Sequence, residues 1–281
     1  MLAKPTVIII EGLAGIGKST LVAALQQPPP PTPTPSPASP RSRNKETRLP
    51  AILGGADVEV LPESFVPLSL SLPALAPPSL GLSLVWSGRW LDAVASFAQR
   101  HQRHQPAVLF TDRSPWTSYT HFRQQPTDGT AAASDDVAGV EAEAVRRTVS
   151  MALASLRPSV HLVTLYAHCD EVVQQRRLAQ RLATAQRTSM AAPVGGVKCE
   201  SSIRSQLGEA DDAYLSLVQQ RYNHLWQLGV FSPPGRQQRH ASLDDDKLLF
   251  SVDVGVDGDE AKVAELGRVL ENYWRDAAVP P

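Results

Sequence analysis

The chain has 281 residues, 42% of them apolar, enough for one sizeable core that carries insertions. A formal net charge of -1 argues against a nucleic-acid binder held by bulk positive charge. No apolar run approaches the roughly 20 residues that span a bilayer, and Cys169 and Cys199 alone make no disulfide framework.

Thr6–Ile10 is a short β-branched run suited to a strand buried on both faces. Ser19–Gln27 reads as a helix stopped by Pro28. Residues 27–50 include the sequence PPPPTPTPSPASP, which lacks backbone donors and favours extended polyproline II. We expect a disordered insertion there; a PxxP-type ligand for an SH3-like partner is the sharper alternative. Asp57–Leu61 is the second strand, followed by a Pro/Ser/Leu-rich stretch from Pro67 to Ser83. Then come a helix over Trp86–His104, a strand over Ala107–Thr111, a helix over Val137–Leu156 and a strand over Val160–Tyr166. Helices over Glu171–Ala185 and Glu209–Leu228, a strand over Leu248–Val254 and a helix over Glu260–Trp274 complete the chain. Strands separated by helices imply a single α/β domain, with five parallel strands covered on both faces.

The strongest local signal is Gly12-Leu13-Ala14-Gly15-Ile16-Gly17-Lys18-Ser19, which satisfies G-x-x-x-x-G-K-[ST] between a strand and a helix. Gly12, Gly15 and Gly17 let the chain turn and bring its N–H groups close to phosphate oxygens. The following helix aims its positive end at the same anion. Lys18 reaches β- and γ-phosphates, and the Ser19 hydroxyl ligates Mg²⁺, with Thr20 next in line. Such a loop defines a nucleotide site and leaves the reaction open. No N-K-x-D guanine reader occurs, and Val160–Tyr166 does not end in the Asp of a motor ATPase.

Three further features follow in chain order. Glu63 sits just past the second strand, where a carboxylate can accept the proton of an attacking hydroxyl; a solvated loop glutamate is the bland alternative. Asp112-Arg113-Ser114 ends the third strand. Asp112 suits Mg²⁺ and Arg113 suits a phosphate or the acceptor oxygen, against the alternative of a structural ion pair. Arg176, Arg177, Arg181 and Arg187 follow the fourth strand. Arg177 and Arg181 share a helix face that suits a transferring phosphoryl group or, equally, solvent.

Taken in order, Ile10-Glu11 and the glycine loop, Pro62-Glu63, Trp90, Asp112-Arg113-Ser114, the arginines and Tyr214-Leu215…Tyr222…Trp226 resemble the deoxynucleoside kinase family. The family includes deoxycytidine, deoxyguanosine and thymidine kinases. The resemblance spans nearly the whole chain outside the proline segment. It implies a P-loop kinase fold with a lid at about 176–205, and transfer of the ATP γ-phosphoryl group to the 5′-hydroxyl of a deoxynucleoside. It also implies Glu63 as general base, Arg113 holding Glu63 and the 5′-oxygen, Asp112 near Mg²⁺, and Arg177 and Arg181 as lid arginines. Trp86, Trp90, Gln99, Ser118 and Phe122 become the nucleoside pocket, and Asp257-Gly258 lies near the adenine. An uncharged Ser118 leaves room for a thymine methyl, which favours pyrimidines. A homodimer is a weaker implication.

The sequence departs from the family pattern in places. Pro62-Glu63 reverses the usual Glu-Pro, Leu68 stands where Trp is common, and Ala183 and Gln186 replace an expected arginine and acid. A monophosphate kinase like thymidylate kinase shares the loop and the Asp-Arg pair but wants an arginine where Leu61-Pro62 stands. A non-catalytic nucleotide-binding scaffold, recruiting a partner through the proline segment, is the reading of another class. His101 and His104 lack an evident third metal ligand, Cys169 has no partner at zinc spacing, and Asp244-Asp245-Asp246 reads as a solvated turn. From the cysteine usage and the early first strand we expect no cleaved transit peptide and a cytoplasmic protein, with mitochondrion and nucleus open.

Overall fold

The computed structural model describes residues 4–25, 55–64, 67–68, 71–72, 80–101, 106–121, 134–191, 211–231, 251–256 and 258–278. The proline segment, Phe122, Asp257, Asp244–Asp246, His104, Cys199 and the part of the expected lid beyond 191 lie outside them.

Strand β1 (Thr6–Glu11) is the centre of the fold. Val7, Ile8, Ile9, Ile10 and Glu11 are all fully buried. Successive strand side chains point to opposite faces, so both faces of β1 are covered. The same holds for β3 (Ala107–Asp112), buried along its whole length. Strand β2 (Asp57–Leu61), partly exposed and carrying Asp57 and Glu59, forms one edge of the sheet. Strand β4 (His161–His168) and the three-residue β5 (Ser251–Asp253) complete it. The order is β2-β3-β1-β4-β5, with every pair parallel. The sheet therefore has the five parallel strands that the strand-helix alternation implies.

The helices are α1 (Lys18–Ala24), α2 (Leu80–His101), α3 (Trp116–Thr120), α4 (Ser134–Leu156), α5 (Glu171–Ala191), α6 (Asp212–Gln227) and α7 (Asp259–Ala278). Helix α1 packs on β3 and α7, while α3 joins α2, α4 and α6. Helix α2 starts six residues before Trp86, inside the stretch that composition marks as irregular. Leu82, Trp86, Trp90, Val94 and Phe97 are all buried at three- and four-residue spacings, so one apolar stripe carries the helix back through Leu80. Helix α3 has no counterpart in the sequence reading, because five residues are too few to show a period. The Ser114 hydroxyl accepts from the Trp116 N–H at its start. Asp211 caps α6 by accepting from the Ala213 and Tyr214 N–H groups. Tyr166 of β4 packs against Tyr222, Trp226 and Phe231, which pins α6 under the end of the sheet. No helix among the described residues is long and apolar enough to cross a membrane.

The strand register places the site. Leu61 pairs with Thr111, and Thr111 with Ile9. Two residues on, Glu63, Arg113 and Glu11 therefore leave the sheet at one level, on the edge where the glycine-rich loop begins.

Candidate functional site

The loop between β1 and α1 needs its glycines. Gly12 has φ of 144°, and a Cβ there would lie 2.4 Å from the Ala167 carbonyl oxygen. Gly17 has φ of 110°, and a Cβ there would meet Arg177 Nη1 at 2.9 Å. Helix α5 holds the loop from outside through its carbonyls. Gln174 Nε2 donates to Ala14 O at 2.9 Å. Arg177 Nη1 donates to Ile16 O, and both Arg177 Nη atoms lie 3.2 Å from Val254 O, tying the loop to the end of β5.

Lys18 turns back across the loop. Its Nζ donates to Gly12 O at 2.9 Å and Leu13 O at 2.7 Å. Burial lowers its pKa to about 7; Arg113 and Arg181 add to the shift, and Asp112 and Glu11 oppose it.

The first turn of α1 meets the end of β3 beside it. Ser19 Oγ donates to Asp112 Oδ2 at 2.6 Å. Asp112 Oδ1 is buried with no hydrogen-bond partner among the described residues. An orphaned carboxylate oxygen next to a solvent-facing hydroxyl is the oxygen-donor set that Mg²⁺ takes.

Arg113 follows at once, with φ of 74°, the one left-handed non-glycine among the described residues. Its N–H donates to Ile10 O at 3.0 Å. Its carbonyl accepts from Trp90 Nε1 at 3.1 Å and from Thr111 Oγ1 at 3.0 Å. Burial opposes its charge, but Tyr222, Asp112, Glu63 and Glu11 more than offset that, so its hold on the proton strengthens. Its Nη1 lies 3.0 Å from His121 Nε2.

Below the loop sits Glu11, fully buried, accepting from Ser114 Oγ at 2.6 Å and Tyr222 Oη at 2.9 Å. Burial pushes its pKa up, against the pull of those hydrogen bonds and of Arg113 and Lys18.

No family model and no curated protein matches the chain at a significant level.

The structure thus brings together Gly12–Ser19, Glu63, Asp112 and Arg113, with the exposed Arg181 near enough to Lys18 to disfavour its charge. Arg177 joins them in an unexpected way, bound to loop carbonyls. Trp86, Trp90 and Ser118 are all buried; Trp90 bonds Arg113 through its carbonyl, and Ser118 shares a hydrogen bond of 2.8 Å with Ser87. Thr20 is exposed on α1, and Gly258 is exposed at the start of α7 with φ of 84°.

Gln99 is not brought to this group, which corrects its place in the expected pocket. It is exposed, nine residues along α2 from Trp90, about 14 Å of helix rise. That end of α2 meets β2 instead: Glu59 pairs with Arg100 at 2.6 Å and His101 at 2.8 Å. Asp57, Glu59 and His101 place one ligand atom each within 4.8 Å of one another, two partners for His101 that its sequence spacing hid. Arg100 already supplies positive charge there. Phe122 and Asp257 lie outside the described residues, as does the Arg187 side chain.

Sequence reasoning missed Glu11 with Tyr222, and His121 altogether. Glu11 is 211 positions from Tyr222, and nothing local marks either as a partner.

Proposed function

We propose that the chain is a P-loop kinase that transfers the γ-phosphoryl group of ATP to the 5′-hydroxyl of a deoxynucleoside. One observation carries this reading: a glycine loop with a buried lysine, a Ser19–Asp112 pair with an orphaned carboxylate oxygen, and Glu63 and Arg113 all meet at one level of a parallel sheet edge. That edge is where ligands bind in open α/β sheets.

In this reading Lys18 leaves the loop carbonyls for the β- and γ-phosphates. Ser19 and Asp112 would hold Mg²⁺, which when bound would neutralise developing charge on the phosphate oxygens. The Glu63 carboxylate takes the proton of the acceptor hydroxyl as its oxygen attacks the γ-phosphorus, while the bond from that phosphorus to the β–γ bridging oxygen breaks and ADP leaves. Arg113 orients that oxygen and balances negative charge around it. Arg181, on the exposed face of α5, adds charge from the lid side, and Arg177 keeps the loop in shape. Trp86 and Trp90 give the acceptor an apolar wall, with the Ser87–Ser118 pair as its polar point. A neutral, hydroxyl-bearing acceptor suits such a wall, and the uncharged Ser118 favours a pyrimidine deoxynucleoside.

The test is phosphorylation with labelled ATP across the four deoxynucleosides and their monophosphates, with Mg²⁺ present or chelated. Label on a deoxynucleoside, lost on chelation, supports the reading. Label on a monophosphate alone replaces it with a monophosphate kinase, and nucleotide binding without any labelled acceptor leaves a scaffold.

A further inference from the structure

We propose that His121 is a positioning residue: neutral, with its proton on Nδ1, it fixes the Arg113 guanidinium by accepting from Nη1. The role of Arg113 that it serves rests on the kinase reading; the pair itself does not.

The tautomer follows from donor bookkeeping. A guanidinium has only donors, so His121 Nε2, 3.0 Å from Arg113 Nη1, must accept. The ring proton is then on Nδ1, 2.8 Å from Thr120 Oγ1. Thr120 Oγ1 is free to accept it, because its own proton goes to Trp116 O at 3.1 Å. The chain of donors runs one way, from Arg113 through His121 and Thr120 to the α3 backbone. A doubly protonated ring breaks it, placing N–H against N–H.

The ring is also held in place. The His121 N–H donates to Thr117 O at 2.9 Å, and its carbonyl accepts from Tyr214 Oη at 2.9 Å. Tyr222 and Tyr214 of α6 lie edge-on to it, with centroids at 6.1 and 6.5 Å. Burial, and then the nearby Arg113, Lys18 and Arg221, push its pKa well below the ordinary imidazole value. A long arginine side chain carries large rotamer freedom. Fixing one of its five N–H groups aims the other four.

The experiment pairs two variants with one spectrum. His121→Phe keeps a ring between Tyr214 and Tyr222 but removes the acceptor. His121→Gln restores an acceptor oxygen. We expect His121→Phe to lower kcat by roughly 10- to 100-fold with KM for ATP nearly unchanged, and His121→Gln to recover most of that loss. Nitrogen-15 spectra of the wild-type imidazole should show His121 neutral and Nδ1-protonated at pH 7, with Nε2 shifting in Arg113→Ala. A wild-type kcat in His121→Phe, or Gln no better than Phe, overturns the positioning role. An Nε2-protonated ring, or one indifferent to Arg113→Ala, overturns the pair. The spectrum needs no turnover. A wild-type protein that phosphorylates nothing therefore sinks the kinase reading alone, and the spectrum still decides the pair; it also decides where His121→Phe fails to fold.

Discussion

The Ser19 hydroxyl donates to Asp112 Oδ2 at 2.6 Å, joining residues 93 positions apart across the mouth of the glycine loop. The second Asp112 oxygen is buried with no hydrogen-bond partner among the described residues, which is what makes this contact worth testing as a metal site. Asp112→Asn should keep the hydrogen bond to Ser19 geometrically possible while removing the charge. Calorimetric titration of ADP with and without Mg²⁺ is the check. The gain in affinity that Mg²⁺ confers on the wild type should shrink by about tenfold or more in the variant. An unchanged Mg²⁺ effect would remove Asp112 from the site.

Lys18 should make nucleotide binding a proton-uptake reaction. Its pKa falls from the ordinary 10.5 to about 7 because it is buried beside Arg113. A phosphate placed against it restores the charge, so between about pH 7 and 9 binding should draw a proton from solvent. Heats measured in two buffers of different ionisation enthalpy report that uptake, and Lys18→Met should abolish it. The same shift fixes a stability slope. Between pH 7 and 10.5 the unfolded chain holds more protons at Lys18 than the folded one, so this group makes stability rise with pH there. Urea midpoints of the wild type, taken relative to Lys18→Met, should climb across that window.

Glu63→Gln should lower turnover by about 10²- to 10⁴-fold while ATP still binds normally, because the amide keeps shape and loses the base. Single-turnover kinetics alongside nucleotide titration separate the two effects. Loss of ATP affinity in step with turnover would assign Glu63 a binding role instead.

Tyr222→Phe should destabilise the fold by about 1–3 kcal/mol, since it takes a donor from a carboxylate with no access to water. The Tyr222 hydroxyl also lies 3.3 Å from Gly12 O, so the loss reaches the loop. A double-mutant cycle with Glu11→Gln, read by urea unfolding, should give a coupling above about 0.5 kcal/mol. Strict additivity would mean that the two groups do not act together.

Gly12 and Gly55 provide a matched contrast. Both have positive φ, yet a Cβ at Gly55 meets nothing within 4 Å among the described residues, whereas at Gly12 it runs into the Ala167 carbonyl. Gly55→Ala should cost only the backbone penalty of about 1–2 kcal/mol. Gly12→Ala should cost roughly 3 kcal/mol or more and distort the loop. Thermal melts of the two variants test the order.

What the sequence revealed of this site is what lies close together along the chain. The loop at 12–19 announces itself because its turns need glycines at fixed offsets. Glu63 and Asp112-Arg113 follow from one rule, that parallel strands end at the same edge, and the register bears out that they are level. The partnerships that tune those groups are non-local. Arg177 reads as one more basic residue on a helix face until Ile16 and Val254 come within its reach. His121 is unremarkable in sequence until α3 turns it towards Arg113. Gln99 fails for a geometrical reason: residue type suggested it, while the rise of α2 carries it to the far end. Helix α2 begins inside a proline- and serine-rich stretch because burial of Leu82 outweighs local composition.

At Arg113 the fold departs from its own stability optimum. A φ of 74° suits glycine, and three hydrogen bonds to the backbone of this residue hold an arginine there against that preference. Selection for robustness alone would accept glycine at 113 more readily than alanine, relaxing the main chain while erasing the guanidinium. Thermostable descendants bred without any functional screen are therefore expected to drift toward glycine at this position.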